Sequence, residues 1–311
     1  MDIGATKVAL ALVDAEGTIL AHAKVASADI FRSCSTAVAS LAEIVAATSQ
    51  RWGVGLSGVE GIGIGIPGAV DGSSGLVAYC PNLSVLVGLP LGQALQEQVG
   101  IPVFVENDVN LICLGESRAG RGKGVNHVAC VFVGTGIGCG LVLDGRLYSG
   151  PDGTAGEIGH TVIEPNGRPC NCGGRGCLEM YCSGKALALR AAAILGGEPS
   201  PDMSQVRWTD AELLINAAKA GHAAARAELE QAFYYLGLGV ANLVNVINPR
   251  LVILGGGIGT AWPDGIEIVR RVVCTRALPL ARDRVVIERP GLGDRAGLVG
   301  AAFLVRDRLG G

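Results

Sequence analysis

One histidine and three cysteines lie close together near the middle of the chain: His160, Cys170, Cys172 and Cys177. Zinc in structural sites is held by four nitrogen or sulfur ligands in a tetrahedron, and this set supplies four. Three of the four residues between Cys172 and Cys177 are glycines, which let the backbone turn tightly around a small ion. The pattern predicts a structural zinc site without an open coordination position.

A disulfide is the alternative for these cysteines, because Cys182 supplies a further thiol nearby. The chain, however, begins Met1-Asp2-Ile3-Gly4 with neither a basic segment nor an apolar signal core, which favours a reducing, cytoplasmic location. Free cysteines in apolar segments behave as small hydrophobic residues. The remaining cysteines are of this kind: Cys34, Cys80, Cys113, Cys130, Cys139 and Cys274. We therefore expect a zinc loop rather than a disulfide, in a cytoplasmic protein.

Two carboxylates flank the cysteine-rich loop, because Glu157 precedes His160 and Glu179 follows Cys177. A closed zinc site with one histidine and three cysteines needs neither of them, so we expect both to contact a polar substrate. His160 can serve both purposes, with one ring nitrogen on the metal and the other hydrogen-bonded to a partner.

A further polar group, Glu106-Asn107-Asp108, follows the apolar run Val103-Phe104-Val105. Ligands of open α/β sheets bind at the carboxyl ends of strands. Asparagine offers a donor and an acceptor, and aspartate can accept a hydroxyl proton. Together with the carboxylates and imidazole near the cysteines, this inventory suits a polyol. The alternative is structural, with Asn107 or Asp108 capping the helix that we expect from Val109.

Two turns combine glycine and threonine beside apolar strands: Asp2-Ile3-Gly4-Ala5-Thr6-Lys7 and Gly134-Thr135-Gly136-Ile137-Gly138. Backbone N–H groups and hydroxyls in such turns can bind phosphate, and Asp2 can hold Mg²⁺ directly or through water. An acidic turn residue follows each return strand, Asp14 in one case and Asp144 in the other. We therefore predict a weak internal duplication. The alternative is that both are ordinary turns.

A third glycine segment, Gly255-Gly256-Gly257, follows the apolar run Leu251 to Leu254. Glycines at this position let a flat base or sugar lie against the backbone, and an ordinary strand-to-helix turn is the alternative. The second of the two glycine-threonine turns, Gly134 to Gly138, is neither a P-loop nor a dinucleotide-binding fingerprint, because no helix follows it.

The periodicity of apolar residues predicts alternating strands and helices, which is an α/β chain. The predicted strands cover 8–13, 19–25, 59–66, 103–105, 128–133, 140–143, 251–254 and 285–287, and the predicted helices cover 36–50, 91–99, 109–119, 210–220, 223–247 and 296–309.

The composition argues against a nucleic-acid or membrane partner. The 311 residues carry a formal charge of -3, and only 17% of them are charged. Residues 124–143 are uncharged and numerous enough to cross a bilayer, but five glycines interrupt them and favour a strand, a turn and a strand.

The motifs resemble, in order and in type, those of the ROK family of bacterial sugar kinases and sugar-responsive repressors. That family has an actin-like ATPase (ribonuclease H-like) fold with two lobes around a cleft. The resemblance rests on Asp2 to Lys7, Gly65-Ile66-Pro67-Gly68, Glu106-Asn107-Asp108, Gly134 to Gly138 and the zinc signature. Within the family, the chain looks most like glucokinases in Cys80-Pro81-Asn82-Leu83 and in Val105 to Asn110.

The resemblance implies an ATP-dependent kinase of carbohydrate metabolism that phosphorylates the 6-hydroxyl of glucose, with Asp108 as general base. By the same resemblance the sugar is held by Gly68, Asn82, Asn107, Asp108, Glu157, His160 and Glu179. ATP is held by Asp2, Gly4, Thr6, Lys7, Gly134, Thr135, Gly136, Gly138, Gly255, Gly256 and Gly257, together with Mg²⁺. Zinc is structural, on His160, Cys170, Cys172 and Cys177.

The resemblance also implies two lobes. The smaller covers 1–108 and is joined by a C-terminal helix at 296–311, and the larger covers 109–295 and contains the zinc loop at 156–179. It further implies that the protein forms a homodimer or homotetramer. Three features depart from the family pattern. Only Met1 precedes Asp2, Cys139 replaces a usual glycine, and Ser84-Val85-Leu86-Val87 lacks the tryptophan common in glucokinases.

Other activities stay open. Without that tryptophan, mannose, N-acetylmannosamine and N-acetylglucosamine are alternatives to glucose. A non-catalytic, sugar-sensing regulator is the alternative to a kinase, although ROK repressors carry a DNA-binding segment before the phosphate turn that starts here at residue 2.

Overall fold

The computed structural model describes residues 1–196 and 208–310. The chain divides into two compact units. The first contains Met1–Asn126, Gly140–Ala155 and Gly291–Gly311, and the second contains His127–Cys139 and Gly156–Pro290.

The first part of the chain, up to residue 119, forms seven strands and four helices within the described residues. In chain order they are β1 (Asp2–Ile3), β2 (Lys7–Val13), β3 (Ile19–Ala26), α1 (Ser27–Ile30), α2 (Cys34–Arg51), β4 (Ile62–Ile66), β5 (Ala69–Asp71), β6 (Leu76–Tyr79), α3 (Leu91–Val99), β7 (Val103–Asn107) and α4 (Asp108–Ala119). The main sheet has the order β3-β2-β1-β4-β7, and β5 pairs with β6.

The later part of the chain alternates strands and helices in the same way. Its elements are β8 (Val128–Val133), β9 (Ile137–Leu143), β10 (Arg146–Leu147), α5 (Glu179–Cys182), α6 (Gly184–Leu195), α7 (Trp208–Lys219), α8 (Ala223–Ile247), β11 (Leu251–Gly255), α9 (Gly256–Ala261), α10 (Gly265–Arg276), α11 (Pro279–Arg282), β12 (Val286–Glu288) and α12 (Ala296–Leu309).

The chain repeats one order of strands, as the duplicated turns predicted. In the first unit, β1, β4 and β7 are parallel neighbours and β2 pairs antiparallel with β3. Later in the chain, β8, β11 and β12 are parallel neighbours, and the β9–β10 hairpin follows β8 along the chain. The two sets of strands differ most in the length of their first strand, since β1 has two residues and β8 has six.

Helix α4 belongs to the first unit, although we predicted a lobe boundary after residue 108. The physical reason is its contact with α12. A side chain at Gly115 would collide with the carbonyl oxygen of Ala296, and one at Gly300 would collide with that of Leu111. The two helices therefore touch backbone to backbone, which only glycine permits.

Most predicted elements are confirmed, and three helices match residue for residue, Leu91–Val99, Ala223–Ile247 and Ala296–Leu309. The prediction for 59–66 was too long. A 3-10 turn occupies Leu56–Gly58, and strand pairing starts only where Ile62 faces Val103. Helix α12 ends at Leu309, and Gly311 of the predicted 296–311 lies outside the described residues.

Candidate active site and metal centre

Asp108 is placed by a strand that ends directly before a helix. Strand β7 ends at Asn107 and α4 begins at Asp108. The Oδ1 atom of Asn107 accepts hydrogen bonds from the backbone N–H groups of Val109 and Asn110, at 2.9 and 3.0 Å. Asn107 is therefore the helix cap that we considered, and its cap fixes the direction in which the chain carries Asp108 out of the sheet.

The electrostatics of Asp108 are unusual for an aspartate. Desolvation by burial, and then the negative charge of Asp2, raise the pKa of its carboxyl to about 6. A hydrogen bond from the N–H of Val109 acts in the opposite direction. Burial likewise raises the pKa of Asp2. A carboxyl with a pKa near the working pH can both hold and release a proton, which is what general base catalysis requires.

Gly68 and Asn107 are brought together within the first unit. The Nδ2 of Asn107 donates a hydrogen bond to the carbonyl oxygen of Gly68 at 2.9 Å. Gly68 has a φ of 112°, and a side chain there would collide with the carbonyl oxygen of Tyr79. Asn82, the other predicted sugar contact of this unit, is exposed in the segment between β6 and α3.

The first glycine-threonine turn connects β1 to β2. Gly4 donates its N–H to the carbonyl oxygen of Lys7 at 2.9 Å, and its own carbonyl accepts from Ser27 Oγ at 2.6 Å. Thr6 and Lys7 are exposed, so their side chains are available to a ligand.

The second glycine-threonine turn connects β8 to β9, and its contacts include a carboxylate. Gly134 donates to the carbonyl oxygen of Gly136 at 2.9 Å, and the N–H of Ile137 donates to Glu179 Oε2 at the same distance. A side chain at Gly136 would collide with that carboxylate. Thr135 is exposed and Gly138 is partly buried. Glu179, predicted to contact sugar, thus also fixes the predicted phosphate turn.

The third glycine segment joins β11 to α9. Gly255 is the last residue of β11, and Gly256 and Gly257 begin the six-residue helix α9. Gly256 has a φ of 85°. A strand-to-helix turn, which was the alternative interpretation, is therefore present, and a nucleotide contact of these glycines stays a prediction.

The metal-ligating residues of the cysteine-rich loop lie together. The ligand atoms of His160, Cys170, Cys172 and Cys177 all lie within 4.8 Å of one another. Cys172 Sγ and Cys177 Sγ are 3.6 Å apart, and Cys170 Sγ and His160 Nδ1 are 3.7 Å apart. A zinc tetrahedron has edges of roughly 3.5–3.8 Å for such ligands. The donor set therefore fits zinc, and among the described residues no two cysteines form a disulfide.

The two ring nitrogens of His160 face different groups. Nδ1 faces Cys170, and Nε2 lies 4.0 Å from Glu157 Oε2. Desolvation raises the pKa of Glu157, His160 lowers it, and Glu179 raises it. One ring nitrogen thus faces a candidate metal ligand and the other faces a carboxylate at 4.0 Å, which is too long for a hydrogen bond. The double use of His160 stays a prediction.

Two buried glutamates were not predicted as functional. Glu106 and Glu116 are 1% and 0% exposed. Glu116 accepts hydrogen bonds from the backbone N–H groups of Arg121, Gly291 and Leu292 at 2.7–3.0 Å, so it fixes chain segments. For Glu106, the motif Glu106-Asn107-Asp108 was the signal, but the sequence does not show which groups its carboxylate binds.

One cavity of about 460 Å³ lies elsewhere in the first unit. It is bordered by β2, α2, β4 and α12, and none of the predicted site residues line it. Its walls are mostly apolar. Within the described residues no helix is both long and apolar enough to span a membrane.

Comparison with known proteins identifies the class. The model of the ROK family matches residues 1–308, and the chain belongs to the ROK family. Its fold is therefore the mixed α/β, actin-like ATPase fold of that family.

Individual relatives include both enzymes and regulators. The glucokinase of Thermotoga maritima is 33% identical over all of this chain and 98% of its own length. A putative xylose repressor of Caldicellulosiruptor is 36% identical over 80% of this chain and 63% of its own length. The crystal structure of a ROK glucokinase from Streptomyces griseus in complex with glucose and AMPPNP is 34% identical over 98% of each chain, with a TM-score of 0.75.

Proposed function

We propose that this protein is an ATP-dependent sugar kinase that transfers the γ-phosphoryl group of ATP to the 6-hydroxyl of glucose. The observation that carries the proposal is Asp108, which follows a buried strand, has a pKa of about 6 and lies beside Asn107, the residue that caps α4. The full-length similarity to a glucokinase supports the choice of reaction.

Asp108 acts as the general base in this proposal. The hydroxyl oxygen forms a bond to the γ-phosphorus while the bond to the β-phosphate oxygen breaks, ADP leaves, and the hydroxyl proton passes to Asp108. Phosphoryl transfer depends mainly on positioning and charge neutralisation, so a carboxylate that takes a proton late is sufficient.

The other predicted residues hold the reactants. Sugar hydroxyls are bound by Gly68, Asn82, Asn107, Asp108, Glu157, His160 and Glu179. The phosphates and Mg²⁺ are bound by Asp2, Gly4, Thr6, Lys7, Gly134, Thr135, Gly136 and Gly138, and the adenosine by Gly255, Gly256 and Gly257. Mg²⁺ neutralises phosphate charge, and zinc on the four loop ligands keeps His160 and its neighbours in place.

A coupled assay of ADP release tests the proposal. Purified protein is screened with ATP, Mg²⁺ and glucose, mannose, N-acetylmannosamine or N-acetylglucosamine, and the product is analysed by NMR for a 6-phosphate. We expect the highest kcat/KM with glucose. A higher value with an acetylated amino sugar would replace glucose with that sugar and keep the kinase.

A result without turnover would favour the non-catalytic regulator. Calorimetry that finds sugar binding, together with no ADP release from any sugar, would contradict the proposed kinase. Light scattering on the same preparation tests the proposed homodimer or homotetramer.

A further inference from the structure

The carboxylate of Glu106 connects the junction of β7 and α4 to a distant segment of the first unit. Its Oε1 accepts hydrogen bonds from the backbone N–H of Asn107 at 2.9 Å and from Asn110 Nδ2 at 3.0 Å. Its Oε2 accepts from Ser149 Oγ at 2.9 Å. The end of β7, the first turn of α4 and the segment after β10 therefore meet at one buried group.

We propose that Glu106, Asn110 and Ser149 form a positioning network that sets both turnover and sugar affinity. This proposal rests on the proposed function, because the network would affect catalysis through Asn107 and Asp108 and sugar affinity through residues 149–155. Glu106 is a positioning residue, since its carboxylate is occupied by protein groups rather than by substrate.

The hydrogen bond from the Asn107 N–H to Glu106 restrains the residue directly before Asp108. The side chain of Asn107 is held by Gly68 and by the helix cap, and Glu106 fixes the peptide N–H of the same residue. Asp108 is the next residue, so these bonds restrict the position of its backbone. A misplacement of about 1 Å in a reacting group costs roughly 10²-fold in rate.

Ser149 extends the network to a short closed loop. The N–H of Ala155 donates to the carbonyl oxygen of Ser149 at 2.9 Å, and Gly153 packs against the carbonyl oxygen of Val70. Ala155 is followed in the chain by Gly156 and then by Glu157, one of the proposed sugar contacts. The hydroxyl of Ser149 therefore anchors the start of the segment that leads to that carboxylate.

The burial of the Glu106 carboxylate indicates that this residue does more than stabilise the fold. A carboxylate removed from water carries a desolvation cost that a well-packed apolar residue avoids. Glu106 lies in β7 directly after the buried Val105, where an apolar side chain would pack without that cost. Three hydrogen bonds satisfy the Glu106 carboxylate, and together they hold the backbone around Asp108 in one geometry.

The experiment compares Glu106→Ala, Glu106→Gln and Ser149→Ala with wild-type protein. Glu106→Ala should lower kcat about 10²-fold. Glu106→Gln should recover most of it, because its amide oxygen replaces Oε1 and its NH₂ can donate to Ser149 Oγ. Ser149→Ala should raise KM for the sugar by roughly threefold to tenfold with kcat nearly unchanged, as expected for the loss of one hydrogen bond.

Two control variants separate positioning from folding. Ser49→Ala removes a hydroxyl that binds only the Ala46 carbonyl of its own helix, and Glu116→Gln alters a buried carboxylate that binds only backbone. Both controls should change the melting temperature and leave kcat and KM within twofold. Kinetics are measured at a temperature where every variant is folded by circular dichroism.

Hydrogen exchange gives a readout that does not depend on turnover. Glu106→Ala should speed exchange at 107–110 and at 149–155 at least tenfold, and Ser149→Ala only at 149–155. Normal kinetics and exchange in folded Glu106→Ala would overturn the network, and so would a Gln variant as impaired as Ala. If the wild type phosphorylates no sugar, the proposed function fails and the exchange pattern alone decides the network.

Discussion

The Asp108 region of the first unit and the Glu157–Glu179 region of the second are built in different ways. Asp108 follows a five-residue strand and opens a twelve-residue helix, so regular hydrogen bonding fixes its backbone. The other region has a three-residue 3-10 helix at Ile158–His160 and a four-residue helix at Glu179–Cys182, with irregular chain between them.

The two regions also differ in how far their side chains are exposed to solvent. The carboxyl of Asp108 is buried enough to raise its pKa to about 6, whereas the side chains of Glu157 and His160 are 56% and 37% exposed. Burial between packed elements suits the carboxyl of the first region to the proposed role of general base. The second region packs around a small buried cluster of Cys170, Cys177, Met180 and Tyr181. A zinc ion on the four candidate ligands would add rigidity to its exposed part.

The largest expected effect comes from the reactive carboxylate. Asp108→Asn keeps the shape of the side chain but cannot take a proton, so kcat should fall by about 10²–10⁴-fold while sugar binding stays measurable. ADP release and calorimetry measure the two quantities. Asp29→Asn, an exposed aspartate of the same unit, is the matched control. Turnover close to that of wild type would remove Asp108 from the role of base.

Loss of the metal should have the next largest effect, in the second region only. Cys172→Ser should lose zinc and weaken sugar affinity by about 10-fold or more, because the ion's binding energy orders the loop. Elemental analysis measures the zinc content, and KM for the sugar reports the change in affinity. Cys34→Ser, at an exposed cysteine, is the control. One equivalent of metal retained with a normal KM would show that the loop does not depend on the ion.

The pH dependence tests the burial of Asp108. Since the base must be deprotonated, kcat/KM should fall by about tenfold per pH unit below pH 6 and level off above it. A folded pKa above the ordinary value of 3.8 means that the fold favours the neutral acid. Stability from this group is therefore complete below pH 3.8 and is lost as pH rises through about 6, on the order of 3 kcal/mol.

Melting curves of wild type and Asp108→Asn at several pH values measure that loss. The stability difference between them should grow between pH 4 and 6 and stay constant above. A difference that does not change with pH would mean that Asp108 has an ordinary pKa.

The smallest effect on catalysis should come from substitution of Glu116, a buried carboxylate that has no proposed catalytic residue next to it in the chain. Glu116→Ala leaves the N–H groups of Arg121, Gly291 and Leu292 without this carboxylate. We expect a loss of about 2–4 kcal/mol in the free energy of unfolding and unchanged kcat and KM for folded protein. Urea titration measures the first. A fall in kcat of tenfold or more would give Glu116 a part in catalysis.

The sequence predicted features that depend on neighbours along the chain. The four candidate metal ligands lie within a short segment, so residue type and spacing suffice to find them. Helices such as Leu91–Val99 follow from periodicity, and the end of Ala223–Ile247 follows from Asn248-Pro249. The Asn107 cap is likewise local.

Only the tertiary structure decided which distant groups meet. Glu106 binds Ser149 across 43 residues of sequence, and Glu179 binds the Ile137 N–H across 42. The pKa of Asp108 depends on burial and on the charge of Asp2 in another strand. Residue types determine which groups can donate, accept or hold a proton, but desolvation and long-range contacts arise from packing, which a linear pattern does not encode.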